Sequence, residues 1–348
     1  MIMFIKLIQN IKIMGSKSVF FYVALSILFA CKQGPKTPDV SGIKVNLQVI
    51  RFEQAFFSVD TNHIDEALFK LNNDYPGFTK DYLFNILGTT PDSASKDIRL
   101  FHSTYRRLFD STKQLFSNIK PIEQALNKGL QFVKYYYPKY AIPTKLVTFI
   151  GPINSYGNII TTYAFGIGLQ LYMGNNYSLY NTEMAQELYP SYISRRFDQA
   201  YIPVNCMKNI IDDMYPNKNL GKPLVEQMVE AGKRQYLLKL FLPNMADTLT
   251  TGFTALQLAT CNSNEASIWR YFIQNNLLYE SNPDITKDYM NDGPNTPAIS
   301  TDAPGLIGQY VGTNIVLKWL NKKGMVSPDI LMQTPAKQIF EEAKYRPN

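Results

Sequence analysis

The stretch Gly221–Pro243, GKPLVEQMVEAGKRQYLLKLFLP, constrains this 348-residue chain more than any other. Gly221 and Pro243 are helix punctuation, and between them Leu224, Met228, Ala231, Tyr236 with Leu237, Leu240 and Phe241 recur at helical spacing. The pattern predicts a helix over 224–241. Gly232 lies in its middle, where glycine costs about 1 kcal/mol relative to alanine. Glu226 and Glu230 share a face one turn apart, with Lys233 beside them. An acidic pair next to a costly glycine marks close packing or a site.

The remaining pattern is helical with a short β interlude. Val45, Leu47 and Val49 alternate as a strand leading into Arg51-Phe52-Glu53, and Tyr75-Pro76-Gly77-Phe78 reads as a turn. Helices are predicted over 63–71, 80–87, 93–116 and 122–137. Lys145–Ile150 is a β-type run stopped by Gly151-Pro152, and Asn158–Tyr172 is read as a second, neighbouring strand. Gly166-Ile167-Gly168 sits inside that run with no helix after it, so it predicts a bulge or a close backbone approach rather than a dinucleotide loop. Further helices are predicted over 182–200, 203–214, 254–259, 265–275, 304–322 and 328–345. The polar segment Asn291–Pro297 is long enough to cover a cleft. The expected fold is α+β, a mainly helical single domain around a small sheet.

At the other end of the chain, an apolar run from Val19 to Ala30 follows a lysine-bearing segment and precedes Cys31. The run is short for a membrane span and suits a signal-peptide core. Leu28-Phe29-Ala30-Cys31 resembles a bacterial lipobox, and Met14 offers an alternative start. The expected organisation is a lipoprotein signal peptide over 1–30, a flexible tether over 31–42 after an acylated Cys31, and one globular domain over 43–348. Acyl chains on Cys31 would anchor that domain to a membrane. The formal charge of +7 falls to +4 once Lys6, Lys12 and Lys17 are set aside, and no basic stripe is visible, which argues against a nucleic-acid partner. Cys206 and Cys261 could pair in an oxidising compartment, but their apolar surroundings favour buried free thiols.

Several of these features occur together in one family. The lipobox, Arg51-Phe52-Glu53, Tyr75-Pro76-Gly77-Phe78 and Leu171-Tyr172-Met173-Gly174 resemble the gliding-motility lipoprotein GldB family of Bacteroidetes. So do Glu230-Ala231-Gly232-Lys233 with Tyr236 and Leu242-Pro243, Asn264-Glu265 with Ile268–Phe272, and Lys344-Tyr345-Arg346-Pro347. The resemblance implies an envelope lipoprotein that supports gliding motility or the associated secretion machinery through protein partners. A periplasm-facing outer-membrane anchor is the expected address, with the inner membrane second. It also implies distant similarity to a zincin-like metallopeptidase fold: strand Asn158–Tyr172, then helix Pro203–Met214, then a later helix with Glu230 and Gly232.

The chemistry of a zincin is not in these residues. It needs two histidines at i and i+4 with a glutamate beside the first. The chain has only His63 and His102, and the corresponding helix reads Asn205-Cys206-Met207-Lys208-Asn209. No catalytic residues, metal ligands or cofactor are expected. The expectation is a partner-binding cleft lined by Glu226, Glu230, Lys233, Glu265 and Trp269. The alternative is a periplasmic hydrolase acting on glycan or peptide through Glu226 and Glu230, the paired-carboxylate arrangement of glycosidases.

Overall fold

Parallel neighbours in a sheet must be joined by a crossover that carries the chain back, and here the first crossover is almost wholly helical. The computed structural model describes residues 37–161 and 164–347. Strand β1 (Gln48–Arg51) is followed by helices α1 (Phe52–Phe57), α2 (Ile64–Asp74), α3 (Phe78–Asp81), α4 (Ala94–Leu115) and α5 (Lys120–Tyr136) before β2 (Lys145–Phe149). Two further strands, β3 (Asn158–Ile160) and β4 (Ala164–Gly168), complete a sheet of order β1-β2-β4-β3. β1 with β2 and β2 with β4 are parallel, whereas β3 runs antiparallel to β4. Leu146, Val147, Thr148 and Phe149 are all buried, as expected of a central parallel strand covered on both faces.

The chain then becomes helical: α6 (Glu183–Leu188), α7 (Ser191–Ser194), α8 (Ile202–Met214), α9 (Leu224–Phe241), α10 (Asp247–Thr251), α11 (Ala255–Ser263), α12 (Glu265–Gln274), α13 (Pro283–Met290), α14 (Ile307–Lys323), α15 (Pro328–Gln333) and α16 (Ala336–Ala343). Residues 40–347 belong to one compact unit; of the preceding unit, 1–39, only residues 37–39 are described. The lipobox, Cys31 and the signal segment lie outside the described residues. Among the described residues no helix is long and apolar enough to cross a membrane.

Two apolar clusters build the core. The first surrounds the sheet and is rich in aromatics: Phe52 packs edge-on against Phe78 and Tyr82 at centroid distances of 4.8 and 4.9 Å. Tyr82 is buried and its hydroxyl donates to the Ile150 carbonyl at 2.6 Å. The second cluster is organised by α9 and α14. Here the cost of Gly232 finds its reason. A Cβ on Gly232 would stand 2.2 Å from the Gly312 carbonyl oxygen, and one on Gly312 would stand 1.6 Å from that of Met228. The helices therefore cross backbone on backbone, with Gly308 and Gly312 one turn apart on α14 and no room for a side chain at either.

Near the sheet, the Arg51-Phe52-Glu53 segment is a buried latch. Glu53, 1% exposed, accepts from Arg51 Nε at 2.6 Å and from Thr148 Oγ1 at 2.5 Å. Arg51 also donates to the Phe116 carbonyl at 2.8 Å, so one ion pair joins β1, β2 and the end of α4. Burial raises the Glu53 pKa above its ordinary value; Arg51 and the Thr148 hydroxyl pull the other way without cancelling it.

Three sequence expectations change. Asn158–Tyr172 is not one strand but the hairpin β3–β4 followed by a 3₁₀ turn at Leu169–Leu171, with Thr161 N bonded to the Ala164 carbonyl at 2.9 Å across the turn. The helix expected over 182–200 is divided at Pro190, and the one over 328–345 at Pro335, because a residue preceding proline is pushed out of helical geometry. Helices α1, α10 and α13 lie in segments for which no helix was predicted. Gly168 does mark a close backbone approach: a Cβ there would lie 2.3 Å from the Tyr156 carbonyl oxygen. Cys206 and Cys261 are buried free thiols.

Two consequences are measurable. Gly312→Ala forces α9 and α14 apart and is expected to cost about 3 kcal/mol, the upper end for overpacking; Gly42→Ala, which meets nothing within 4 Å, serves as control. Equal denaturation midpoints for the two variants would exclude the backbone contact. The second concerns Glu53, whose raised pKa lets the folded state hold a proton that the unfolded chain releases. The resulting stabilisation is complete below the unfolded pKa and is lost as pH rises through the folded one. Glu53→Gln should therefore gain stability relative to the parent as pH rises from about 4 to about 7, and a pH-independent offset in urea midpoints would refute it.

Candidate functional site

The edges of the sheet are β1 and β3, and along β3 the alternation of an antiparallel ladder decides which backbone groups are free. The Gly157 carbonyl accepts from Gly168 N at 2.9 Å, and Thr161 N donates to Ala164 at 2.9 Å. Bonded residues alternate along such a ladder, so Gly157, Ile159 and Thr161 turn their N–H and C=O groups to β4. Those of Asn158 and Ile160 point away from the sheet, and no hydrogen bond from them is made among the described residues.

Beside this edge a cavity of about 590 Å³ lies over one face of the sheet, with Ile50, Val147, Gly166 and Ile159 of neighbouring strands as its floor. One wall is β3 with Tyr156, the other is the Tyr75-Pro76-Gly77-Phe78 turn, and Asn209 of α8 also lines it. Gly77 has φ of +84°, a conformation that favours glycine and lets the turn close back onto Phe78. α3 passes without interruption into a π turn at Tyr82–Ile86, which places Asn85 and Ile86 on the wall beside Asp81. Such π turns recur at functional sites. The lining is mainly apolar, with Asp74, Asp81 and Lys145 as its charges. Tyr156 is 61% exposed, a large aromatic at the mouth.

On the other side of Asn158 is a second cavity of about 330 Å³. α8 packs against β3 between the two, with Asn158 Nδ2 3.6 Å from the buried Cys206 Sγ. Tyr172 ties this junction together: its hydroxyl accepts from Asn205 Nδ2 at 2.8 Å and donates to Asn158 Oδ1. Burial raises the Tyr172 pKa, keeping it a neutral phenol. Arg196, Tyr201, Asn205 and Lys208 line the cavity. Arg196 is paired with Asp292, whose loop was read as a cover, and Arg195 donates to the Gly252 carbonyl at 2.5 Å. Lys208 makes no hydrogen bond or ion pair among the described residues. Lys208 is exposed; desolvation first, then the neighbouring Arg196, lower its pKa from the ordinary lysine value, while Asp212 and Asp292 oppose the shift.

The five residues singled out from sequence spacing occupy two other places. Lys233 is buried and donates to Glu230 at 2.9 Å, Thr334 at 2.6 Å and Met332 at 3.3 Å, so its ammonium caps the carbonyl end of α15. Burial lowers its pKa despite the carboxylate of Glu230. Glu265 accepts from the Tyr345 hydroxyl, and Trp269 packs edge-on against the same ring at 5.0 Å. Glu230 and Lys233 thus meet the segment before α16, Glu265 and Trp269 the segment after it, and Glu226 is half-buried on the first turn of α9. None of the five lines either cavity described above. His63 pairs with Asp60 at the surface and His102 contacts the Phe57 carbonyl at 3.0 Å. Among the described residues no three His, Cys, Asp or Glu side chains are grouped to hold a metal ion.

The site at β3 was missed because the 158–172 run was taken as a single strand, which conceals an open edge. Its opposite wall was visible as the Tyr75–Phe78 motif, and its helix as Asn205–Asn209. No curated protein and no solved structure matches the chain. Residues 33–347 match the family described as gliding motility protein GldB, which spans the sheet, both cavities and the α9–α14 crossing. The chain belongs to the gliding motility protein GldB family.

Proposed function

We propose that this protein acts in gliding motility, or in the secretion machinery associated with it, by binding an extended segment of a partner protein along β3 rather than by catalysis. The single observation that carries the reading is the unpaired edge of β3, beside a groove of about 590 Å³ that extends from it over one face of the sheet. Outward N–H and C=O groups at alternate residues are the template to which an added strand pairs, while flanking pockets take its side chains. Family membership supplies the biological setting, gliding motility.

The same reading includes the envelope address. Acylation of Cys31 would tether the domain to a membrane through the segment ahead of Val40, with the outer membrane, periplasmic side, as the proposed location. The zincin-like comparison is part of the proposal too. An antiparallel edge strand lying over a helix, with α9 behind it, is the arrangement that a peptidase uses to present an extended chain to its helix. Here Asn205 and Asn209 stand where metal-binding histidines would be needed, and both face cavities. Asparagine amides can hydrogen-bond a peptide but are poor ligands for zinc.

Proline at position 160 isolates the edge. The Ile160 N–H points outward, so Ile160→Pro removes a docking donor without breaking the β3–β4 ladder, the placement at which edge strands tolerate proline. With a photo-crosslinking amino acid in place of Tyr156, the parent should capture a partner in its own envelope. Ile160→Pro should abolish capture while unfolding at a temperature within a few degrees of the parent. Undiminished capture by the proline variant would sink the reading.

A further inference from the structure

The second cavity contains an imbalance of charge that the groove reading does not use. Lys208 makes no hydrogen bond or ion pair among the described residues, Arg196 uses one terminal nitrogen on Asp292, and Arg195 lies against the Gly252 carbonyl. The nearby acids each have another partner, although the charges of Asp212 and Asp292 also act on Lys208. Asp212 pairs with Arg234 at 2.5 Å, Asp198 accepts from Ala200 N at 2.9 Å, and Asp292 is held by Arg196. Arg195, Arg196 and Lys208 therefore crowd one region: burial first, then the charge of Arg196, lower the pKa of Arg195 and of Lys208, with Asp292 opposing both. Lys208 is exposed where it borders the cavity, so its ammonium is open to an anion entering from solution.

The geometry also says where that anion comes from. Asn158 lines both cavities, so the small one lies at the end of the groove along β3. Gly252 has φ of +77°, and a Cβ there would stand 2.9 Å from an Arg196 terminal nitrogen, so a bare backbone lets the guanidinium lie flat against it. Asn205 and Tyr201 add neutral polar groups to the lining. A planar acceptor meeting a guanidinium, an ammonium and an amide is the set that recognises a carboxylate.

We propose that the cavity lined by Lys208, Arg196, Asn205 and Tyr201 is a carboxylate-binding subsite that receives the C-terminal carboxylate of the segment docked along β3. The assignment rests on the groove reading for its occupant, and on the cavity alone for its chemistry. A side-chain carboxylate offers the same group, and the two sources separate by experiment. Lys208 holds the free charge, and Arg196 keeps Asp292 aside while presenting its remaining N–H groups.

Acylation of lysines by acetic anhydride, followed residue by residue by mass spectrometry on the full-length protein in detergent, tests the cavity directly. The depressed lysine should react ahead of exposed lysines such as Lys80. Millimolar N-acetylglycine, which mimics a peptide C-terminus, should slow Lys208 acylation about tenfold, the worth of one charge-assisted hydrogen bond. N-acetylglycinamide should not slow it. Protection by N-acetylaspartyl amide equal to that by N-acetylglycine would overturn the C-terminal assignment, and equal protection by inorganic phosphate would overturn the carboxylate assignment. Absence of any protection would overturn the subsite. The link to the groove is read separately. Lys208→Met should cut photo-capture from position 156 about tenfold, and unchanged capture would refute the link. If the parent captures nothing, the groove reading fails while N-acetylglycine still decides the cavity.

Discussion

Contact between the backbones of α9 and α14 is the constraint on which the second half of the molecule depends. Gly232 and Gly312 let the helices approach until the carbonyls of Met228 and Gly312 occupy the space of missing side chains. Ordinary helix pairs hold their axes 8–10 Å apart through interdigitated side chains, a separation that can relax when one residue changes. A backbone contact has no such slack. With α14 seated, α9 presents its opposite side to α8, and α8 lies against β3. The positions of Asn205, Lys208 and Asn209 around the sheet edge are thus set from a glycine crossing remote from them.

The buried charges show how the same fold treats ions it needs for structure and one it leaves open. Glu53 and Lys233 are each almost wholly enclosed, and each is surrounded by partners: two side-chain donors for the carboxylate, two carbonyls and a carboxylate for the ammonium. Both still pay a desolvation cost, visible in the direction of their pKa shifts. Removing one partner of such an arrangement leaves an uncompensated charge in the interior. Lys208 differs in kind. Its pKa is lowered in the same direction as that of Lys233, yet its side chain is exposed and makes no hydrogen bond or ion pair among the described residues.

How much of this was legible in the sequence follows from the range of the interactions involved. α9 was read to its termini because its apolar spacing and its flanking Gly221 and Pro243 are local signals. Gly232 was legible as an anomaly, though not Gly312 as its cause, since nothing local links residues eighty apart. The β3–β4 hairpin escaped because its turn at 161–164 carries no glycine or proline, so Ile, Thr, Tyr and Phe run through it unbroken. Glu226, Glu230, Lys233, Glu265 and Trp269 shared helical spacing, but their partners, Thr334 and Tyr345, come from a region whose break at Pro335 was not anticipated. Lys208 carries no mark in the sequence at all; its place beside Arg196 and the small cavity is set by the fold.

The clasp of Tyr345 on Trp269 and Glu265 has a consequence for the order in which the chain can mature. Glu265 and its tyrosine are separated by 80 residues, and β1 must wait for β2 across the whole helical crossover. Neither half of the core can close until distant chain has been made, so folding is slow in the sense that non-local contacts impose. The segments that lock the fold are thus the last to be made, and until they arrive the earlier helices stay without their partners.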